Sequence, residues 1–228
     1  MKVLDKGYVT TLDVMGSDTT VVNSARVSFD KSINTLEDRD LSLIDYLVRE
    51  HHDSVLRHCA ISFEIYAPLF VARQWWKHHV GATAVDDQNG WNESSRRYVT
   101  EEPEFYIPDS WRGAAANKKQ GSGSEVHPLI STKYTKLLEY FAETGIYAYD
   151  AAMKDGICTE QARMFLPAYS MYIRWRWTAS LNALLHFVSL RLDSHAQWEI
   201  QQYAIAVAEE VKKHFPHTYS AWEKHRVR

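Results

Sequence analysis

Cysteine is scarce in this chain: Cys59 and Cys158 are the only two in 228 residues, and they form no C-x-x-C pair. This argues against a disulfide-stapled scaffold. Long apolar runs are also lacking, so no N-terminal stretch resembles a signal peptide and no segment resembles a membrane span. A formal net charge of -3 gives no general attraction to polyanions. We therefore expect a reduced, cytoplasmic protein with small-molecule partners, no nucleic acid and no membrane.

Apolar and aromatic residues, by contrast, make up 45% and 13% of the chain and suffice for a buried core. Alternation of apolar and polar residues predicts strands at 8–16, 59–67 and 169–177. Helical spacing predicts helices at 18–29, 35–51, 68–79, 128–156, 159–166, 180–191 and 194–214. The predicted N-caps are Asp18, Thr35, Thr159 and Ser194.

Strands this dispersed do not form βαβ repeats, so the class predicted is α+β, with an antiparallel or mixed sheet and several packed helices. The expected organisation is a single domain over residues 1–228. Two segments, at about residues 81–91 and 113–127, lack periodicity and carry turn residues, which predicts loops.

The stretch LRLDSHAQWEIQQYA, residues 190–204, holds an arginine, an aspartate, a serine and a histidine in five positions. Ser194 followed by Gln197 fits a capping box, and a capped helix junction alone explains most of the pattern. The same junction also puts Arg191 at the end of one helix and His195 at the start of the next, where both could face one concave surface. A fixed guanidinium beside a histidine suits a planar, ionisable, anionic ligand.

A second concentration of polar residues lies at 73–98. It comprises Arg73, Gln74, Lys77 and His78 on a predicted helix and Glu93, Ser94, Ser95, Arg96 and Arg97 after the predicted loop. Arginines combined with hydroxyl and backbone N–H groups suit a phosphate. The simpler alternative is a solvated basic helix end followed by a polar loop.

Several motifs together resemble the flavin-dependent thymidylate synthases. They are RQWWKHH and NESSRRY within 73–98, ARVSFD at 25–30, EFYIP at 104–108, QARMFLP at 161–167 and the R-x-D-S-H-A-Q of the stretch above. The resemblance covers nearly the whole chain. It implies an α+β homotetramer with FAD and nucleotide sites between subunits. It also implies a methyltransferase that makes dTMP from dUMP, with methylenetetrahydrofolate as C1 donor and NADPH as reductant.

The chemistry of that family accounts for the residue types. Methylation at C5 of uracil needs a C1 donor and then a hydride, which the flavin supplies, so no nucleophilic cysteine is required. Cys59 and Cys158 are therefore interpreted as structural. Reduced flavin, nucleotide phosphate and folate carboxylates are all anionic, so one pocket must gather cations and N–H groups. The flavin would be bound without a Rossmann fingerprint, since GSGSEV at 121–126 lacks the third glycine.

The resemblance also assigns residues. Arg191 would contact the uracil edge, favour ionisation of the ring N3 and act as the catalytic residue. Nucleotide-binding positions are Gln74, Lys77, Glu93, Ser94, Ser95, Arg96, Arg97, Arg163 and Arg191. Flavin-side positions are Ser28, Ser54, Lys77, His78, His79, Glu93, Ser180, Asn182, His186 and His195. The resemblance implies no metal.

The chain departs from the family pattern at several of these positions. Where the family has Arg-His-Arg and a shorter segment before a serine, this chain has Lys77, His78, His79 and then fifteen residues before Ser95. Arg57 replaces an acid near the flavin. Ser180-Leu181-Asn182 replaces Asn-x-Arg, and His186 takes an asparagine position. Two interpretations stay open: a divergent thymidylate synthase, or a relative that acts on another uracil nucleotide or uses another C1 donor.

Two other classes of function compete with this one. The HHD of residues 51–53 faintly resembles the His-Asp pair of metal-dependent phosphohydrolases, although a helix C-terminus also favours histidine. SSRRY at 94–98 and IRWRW at 173–177 could hold stacked bases and phosphates of a single-stranded nucleic acid. Alternation in the second stretch more simply places its tryptophans in the core.

Overall fold

The computed structural model describes residues 1–78, 91–95, 97–98, 101–115 and 121–226 of the chain. Its strands are β1 (Lys2–Val3), β2 (Gly7–Met15), β3 (Ala60–Pro68), β4 (Trp91–Glu93), β5 (Arg112–Ala114), β6 (Ser122–Glu125) and β7 (Tyr172–Ser180). Its helices are α1 (Asp18–Arg26), α2 (Asp38–Arg49), α3 (Leu69–Trp75), α4 (Pro128–Lys154), α5 (Thr159–Ala162), α6 (Leu181–Arg191), α7 (Trp198–His214) and α8 (Pro216–His225). Single 3-10 segments cover Val27–Phe29, Asp53–His58 and Arg163–Phe165.

Five strands form one sheet in the order β1-β2-β3-β7-β4, and every neighbouring pair is antiparallel. The predicted α+β fold with an antiparallel sheet and packed helices is confirmed. The three predicted strands are β2, β3 and β7. The first was expected at a sheet edge, but the short strand β1 pairs with its outer side.

Alternation along the central strands decides which face of the sheet is buried. Phe63 on β3 lies opposite Trp177 on β7, and both are almost fully buried. Next to them on the apolar side, the Trp75 ring stacks on Phe187 at 4.5 Å between ring centroids and meets Trp175 edge-on at 5.4 Å. This aromatic cluster fixes α3 and α6 over the sheet, so the ends of these two helices are held rigidly side by side.

Helix starts are where the sequence prediction was least accurate. Ser17, not Asp18, caps α1, and Glu37, not Thr35, caps α2, each in a reciprocal pair with the residue three positions on. Cys158 rather than Thr159 precedes α5, and α7 begins after Gln197 rather than at Ser194. Polar residues cluster before helices, so several neighbours satisfy the same capping pattern.

Asp18 has a different task from the predicted cap. Its side chain is buried, and it accepts hydrogen bonds from the backbone N–H groups of His217 and Thr218 at 2.9 Å each. The Thr218 hydroxyl donates a third bond to it at 2.6 Å. Helix α8, which the sequence analysis missed, is thereby capped by a residue from the other end of the chain.

The segment predicted as a loop at residues 113–127 contains secondary structure. Strands β5 and β6 pair there as a two-stranded antiparallel ribbon, with Arg112 opposite Glu125. Of the loop predicted at 81–91, residues 81–90 lie outside the described part, and Trp91 begins β4. Within the described residues, no helix is long and apolar enough to cross a membrane.

Candidate active site

Arg191, the last residue of α6, contacts residues at and just after the C-terminal end of α3. Nε of Arg191 donates to Nε2 of His78 at 3.1 Å, and Nη2 of Arg191 donates to the main-chain carbonyl oxygen of Gln74 at 3.4 Å. Because a guanidinium can only donate, Nε2 of His78 must accept and carries no proton. His78 is therefore neutral in this arrangement, with its ring edge-on to Phe187 at 5.1 Å.

A cavity of about 730 Å³ opens beside this contact. Of the described residues, ten line it: Gln74, Lys77, Gly121, Ser189, Leu190, Arg191, Asp193, His195, Ala196 and Gln197. The predicted convergence of Arg191 and His195 on one concave surface is present in the structure, and Gln74 and Lys77 join them. We call this space the Arg191 cavity.

The sequence predicts His195 in the first turn of a helix. In the structure, His195 reaches the cavity from the turn that precedes α7. Asp193 organises that turn, because its carboxylate accepts from the His195 backbone N–H at 2.7 Å and contacts the ring Nδ1 at 2.8 Å. Ser194 is exposed and caps no helix. The ring is thus oriented by a carboxylate that is itself exposed to solvent.

Electrostatics single out Arg191 among these residues. Partial burial lowers the pKa of Arg191 from its ordinary value, and no neighbouring charge among the described residues offsets that loss of hydration. Within the described part of the chain, no carboxylate forms an ion pair with it. An arginine remains charged nonetheless. A partly dehydrated cation without a counter-ion, at the wall of a cavity, is a site for an anionic or electron-rich ligand group.

The nucleotide-binding candidates that follow the first loop form a second group on the sheet edge. Strand β4 pairs with β7, and Ser94 continues this pairing through its N–H to the Arg174 carbonyl at 2.7 Å. The Ser95 hydroxyl accepts from the backbone N–H of Arg97 at 3.3 Å and from Nε at 3.2 Å. Arg97 lies 3.7 Å from Glu160, on the helix that leads to Arg163.

Glu93 belongs to the same group. Burial raises the pKa of Glu93, and the nearby Arg163 guanidinium opposes the rise. The structure therefore brings together Glu93, Ser95, Arg97 and Arg163, as the sequence predicted. Among the described residues, no hydrogen bond or ion pair joins this group to the Arg191 cavity. Arg96 lies outside the described residues.

The flavin-side candidates lie on three neighbouring elements. Ser28 follows α1 and Ser54 belongs to the 3-10 segment Asp53–His58, and that segment packs against both α1 and α6. Ser180 caps α6 through its hydroxyl, which accepts from Ala183 N–H at 3.3 Å, and Asn182 lies in the first turn.

His186 projects from α6 with its ring 6.2 Å from that of His78, which brings it close to the contact between His78 and Arg191. His79 lies outside the described residues. Lys77 is exposed at the end of α3 and lines the cavity, as described above.

The sequence analysis missed a chain of side chains behind the cavity. Nε2 of Gln74 donates to Oε1 of Gln197, whose own Nε2 donates to Oε2 of Glu199 at 2.8 Å. Arg112 of the β5–β6 ribbon completes the chain through an ion pair with Glu199. The motif HAQWE contains both Gln197 and Glu199, but the sequence pattern predicts a capping-box role for Gln197 and no role for Glu199.

The two competing classes find little support in the geometry. Across the residues described, no group of three or more histidine, cysteine, aspartate or glutamate side chains could hold a metal ion. His51 and His52 are exposed after the end of α2. Trp175 and Trp177 are buried in the core, so they offer no stacking surface to a nucleic acid.

An antiparallel sheet backed by helices defines an α+β protein, and Arg191, which has no carboxylate partner within the described residues, lies at the wall of an open cavity that suits an anionic ligand group. Residues 10–217 match the family described as "Thymidylate synthase complementing protein". The chain belongs to this family of flavin-dependent thymidylate synthases, and the prediction of an enzyme of that family is confirmed.

Several relatives are similar over nearly the whole chain. The flavin-dependent thymidylate synthase of Thermosipho africanus is 39% identical over 223 residues, covering 98% of this chain and 93% of the relative. That of Thermus thermophilus is 40% identical, covering 98% of this chain and 78% of the relative. Among solved structures, the UMP/dUMP methylase PolB from Streptomyces cacaoi, bound with 5-Br UMP, has a TM-score of 0.83 at 27% identity, covering 98% and 96% of the two chains.

Proposed function

We propose that this protein methylates C5 of the uracil ring of dUMP reductively, giving dTMP. The C1 unit comes from methylenetetrahydrofolate, NADPH supplies the reducing electrons, and FAD is the cofactor. In balance, dUMP, methylenetetrahydrofolate, NADPH and one proton give dTMP, tetrahydrofolate and NADP⁺. The observation that carries the proposal is the partly buried Arg191, which forms no ion pair within the described residues and which two hydrogen bonds fix against a cavity.

Arg191 has the properties that activation of a uracil ring requires. When the ring loses its N3 proton or gains electron density at C5, negative charge spreads over its carbonyl oxygens and N3. A guanidinium already held in place, and only partly hydrated, stabilises this charge without a reorganisation cost at the moment of reaction. His78 and Gln74 hold the guanidinium in position, so the ring edge can be met by its remaining N–H groups.

We assign the phosphate of the nucleotide to the group of residues at the sheet edge. Ser95, Arg97 and Arg163 supply hydroxyl and guanidinium donors there, and Ser94 and Arg96 are close in sequence. Gln74, Lys77 and Glu93 complete the proposed nucleotide set. Since no hydrogen bond or ion pair within the described residues joins these side chains to the Arg191 cavity, we infer that two subunits contribute to each active site.

A homotetramer would supply such composite sites. Helix α4 supports this inference, because it exposes a series of large apolar side chains along its length. They are Leu129, Ile130, Tyr134, Leu137, Tyr140, Phe141 and Tyr147. A helix with this much exposed apolar surface needs a partner, and a second copy of the chain is the simplest one.

The polar side chains carried by the packed elements α1, α6 and the 3-10 segment Asp53–His58 fit a flavin. A flavin ring system needs polar groups at its pyrimidine edge and apolar cover for its rings. Ser28, Ser54, Asn182 and His186 supply polar groups on packed elements, and Phe29, beside Ser28, is a largely exposed apolar side chain. Ser180, His78, His79, Lys77, Glu93 and His195 are the further flavin-side residues proposed. When bound, the flavin would supply the hydride that completes the methyl group.

A second candidate substrate is UMP. The PolB structure, described as that of a UMP/dUMP methylase, is similar over 98% of this chain. Lys77 and His79 also stand at the two arginine positions of the family's Arg-His-Arg pattern, so the side chains offered to phosphate and flavin differ from those of the family. An enzyme that takes either nucleotide would tolerate a ribose 2′-hydroxyl in the same site.

The deciding experiment is an anaerobic turnover assay on purified protein loaded with FAD. NADPH is added first, and bleaching of the flavin spectrum reports reduction. Methylenetetrahydrofolate is then added with dUMP in one arm and UMP in the other, and the methylated nucleotides are separated by chromatography. Arg39→Ala, which removes an exposed arginine from α2, is the matched control for variants of Arg191.

We expect dTMP in the dUMP arm, and methylated UMP as well if the second candidate is correct. Protein that takes up no FAD and forms neither product would overturn the proposal. Bound metal without flavin, together with phosphate release from nucleotides, would instead favour the hydrolase.

A further inference from the structure

Glu199 lies behind the Arg191 cavity and is almost completely buried, with 5% of its surface exposed. Its two carboxylate oxygens have different partners: Arg112 binds Oε1, and Nε2 of Gln197 donates to Oε2 at 2.8 Å. Arg112 is fixed in turn, since its Nε donates to Ser122 Oγ at 2.9 Å and its guanidinium stacks over the Trp198 ring at 4.9 Å. The carboxylate is therefore held rigidly.

A carboxylate in an ion pair can only accept hydrogen bonds, and this fixes the direction of the chain in front of it. Gln197 must turn its NH₂ group toward Glu199 and its carbonyl oxygen toward Gln74. Gln74 must then turn its own NH₂ group toward that oxygen, as it does. The reverse orientation of either amide would place two acceptors or two donors face to face.

This series of hydrogen-bonded side chains ends at the Arg191 cavity, where we place the nucleotide. Gln74 and Gln197 both line the Arg191 cavity. Because Nε2 of Gln74 donates to Gln197, the side-chain oxygen Oε1 of Gln74 lies on the other side of the amide, and it receives no hydrogen bond within the described residues. The bond from Arg191 goes to the main-chain oxygen of Gln74 instead. The cavity thus offers a fixed acceptor next to a guanidinium that offers only donors. A nucleotide with both carbonyl oxygens and an N–H or O–H group matches such a pair.

We propose that Glu199 is a positioning residue that acts through Gln197 to make Gln74 present a hydrogen-bond acceptor to the bound nucleotide. The inference rests on the proposed function, because it takes a uracil nucleotide as the ligand. It adds a specificity device: a buried charge sets the polarity of a neutral side chain that touches the substrate. Neither glutamine alone has a preferred direction, since an amide can be turned over at small cost.

The substitution Glu199→Gln tests this directly, because it preserves shape but not polarity. Arg112 still demands an oxygen, so the new amide must turn its NH₂ group toward Gln197. Gln197 and then Gln74 must turn over in response, and the cavity receives an NH₂ group where it had an oxygen. A donor of the nucleotide then meets a donor, and dUMP binding should weaken by about tenfold to hundredfold.

Binding of dUMP is measured by calorimetry on the FAD-loaded protein, for the parent, Glu199→Gln and the control Glu209→Gln, which lies exposed on the same helix. The control should bind as the parent does. A rescue variant combines Glu199→Gln with Gln74→Glu, which restores an acceptor at the cavity and keeps the net charge. It should bind dUMP more tightly than either single variant, whereas a purely structural role of Glu199 predicts losses that accumulate.

Two further measurements complete the design. Gln197→Met cuts the chain but leaves the Arg112 ion pair in place, so it must weaken dUMP binding even if Glu199→Gln does not fold. A dUMP analogue without the 3′-hydroxyl identifies the nucleotide donor. If the hydroxyl is the partner of Gln74, the analogue should bind the parent and Glu199→Gln equally. If the ring N–H is the partner, the difference should persist.

The outcomes separate this inference from the function on which it rests. If Glu199→Gln and Gln197→Met both bind dUMP as tightly as the parent does, the inference is overturned and the proposed function stays intact. A parent that does not bind dUMP at all would overturn the proposed function, and the inference with it.

Discussion

The hydrogen bonds of Asp18 give a stability prediction whose size can be worked out atom by atom. Replacing Asp18 with alanine removes a buried carboxylate that accepts three bonds, two from the backbone at 2.9 Å and one from the Thr218 hydroxyl at 2.6 Å. Thr218 is completely buried, so water cannot replace the lost acceptor for its N–H and hydroxyl groups. The N–H of His217, at an exposed residue, can be hydrated again.

Two buried donors are therefore left without a partner, at about 1–3 kcal/mol each. Removing the carboxylate also ends its own desolvation penalty, which offsets part of that loss. The net expectation is a loss of about 3 kcal/mol in the free energy of unfolding, out of roughly 5–15 kcal/mol for a typical domain. For a chain of this size, that corresponds to about 6–12 °C in Tm.

The assay is urea denaturation followed by circular dichroism at one fixed protein concentration, because assembly would make stability depend on concentration. Thr218→Val should cost about 1 kcal/mol, and the double variant should lose less than the sum of the two single variants. Asp13→Ala, which removes an exposed aspartate bonded only to its neighbour's N–H, is the control. If Asp18→Ala lies within about 1 kcal/mol of the parent, the buried cap does not stabilise α8 as described.

Three further predictions concern the site, the thiols and the backbone. Arg191→Ala should reduce kcat/KM for dTMP formation by about a hundredfold or more while changing the unfolding free energy by less than about 1 kcal/mol, and an unchanged kcat/KM would exclude the proposed role. Burial raises the pKa of Cys59 to about 11, so near pH 8 a thiol reagent should modify only the exposed Cys158, and labelling of two thiols in native protein would contradict this. In Gly7→Ala, the new Cβ would lie 1.9 Å from a tyrosine hydroxyl, so denaturation should show a loss of more than about 2 kcal/mol, against little change for Gly113→Ala, whose nearest atom would be 3.5 Å away.

The sequence predicted best those features that depend on local periodicity. Strands β3 and β7 carry an alternation that burial on one face imposes, so Phe63 and Trp177 could be placed in the core without knowledge of their partners. The pairing of these two strands, and the addition of β4 beside them, depends on contacts between distant segments. The predicted helix starts were wrong for a different reason. Ser17 and Asp18 are adjacent and can both cap a helix, and near Thr35 the cap is Glu37, whose residue type is not typical of an N-cap.

The candidate site divides in the same way. Arg191 and His195 could be brought to one cavity because the sequence places them on either side of one helix junction, whereas only the family resemblance placed Gln74 with Arg191 as a nucleotide-binding residue. The direction in which Gln74 presents its amide could not be predicted. It is set by Glu199 and by the β5–β6 ribbon, where the sequence predicts only a loop. Polarity of this kind exists only once the tertiary contacts are made.

The order in which this fold can be assembled follows from how far apart its partners stand in the sequence. Ser62 and Thr178, which face each other across the centre of the sheet, are separated by 116 positions, and Asp18 and Thr218 by 200. During translation, β3 must therefore wait on the ribosome with an open edge until β7 has emerged, and α1 receives its last partner only after the chain is almost finished. Such an unpaired apolar strand is prone to aggregate, so yields of this protein should respond to chaperones and to slower synthesis.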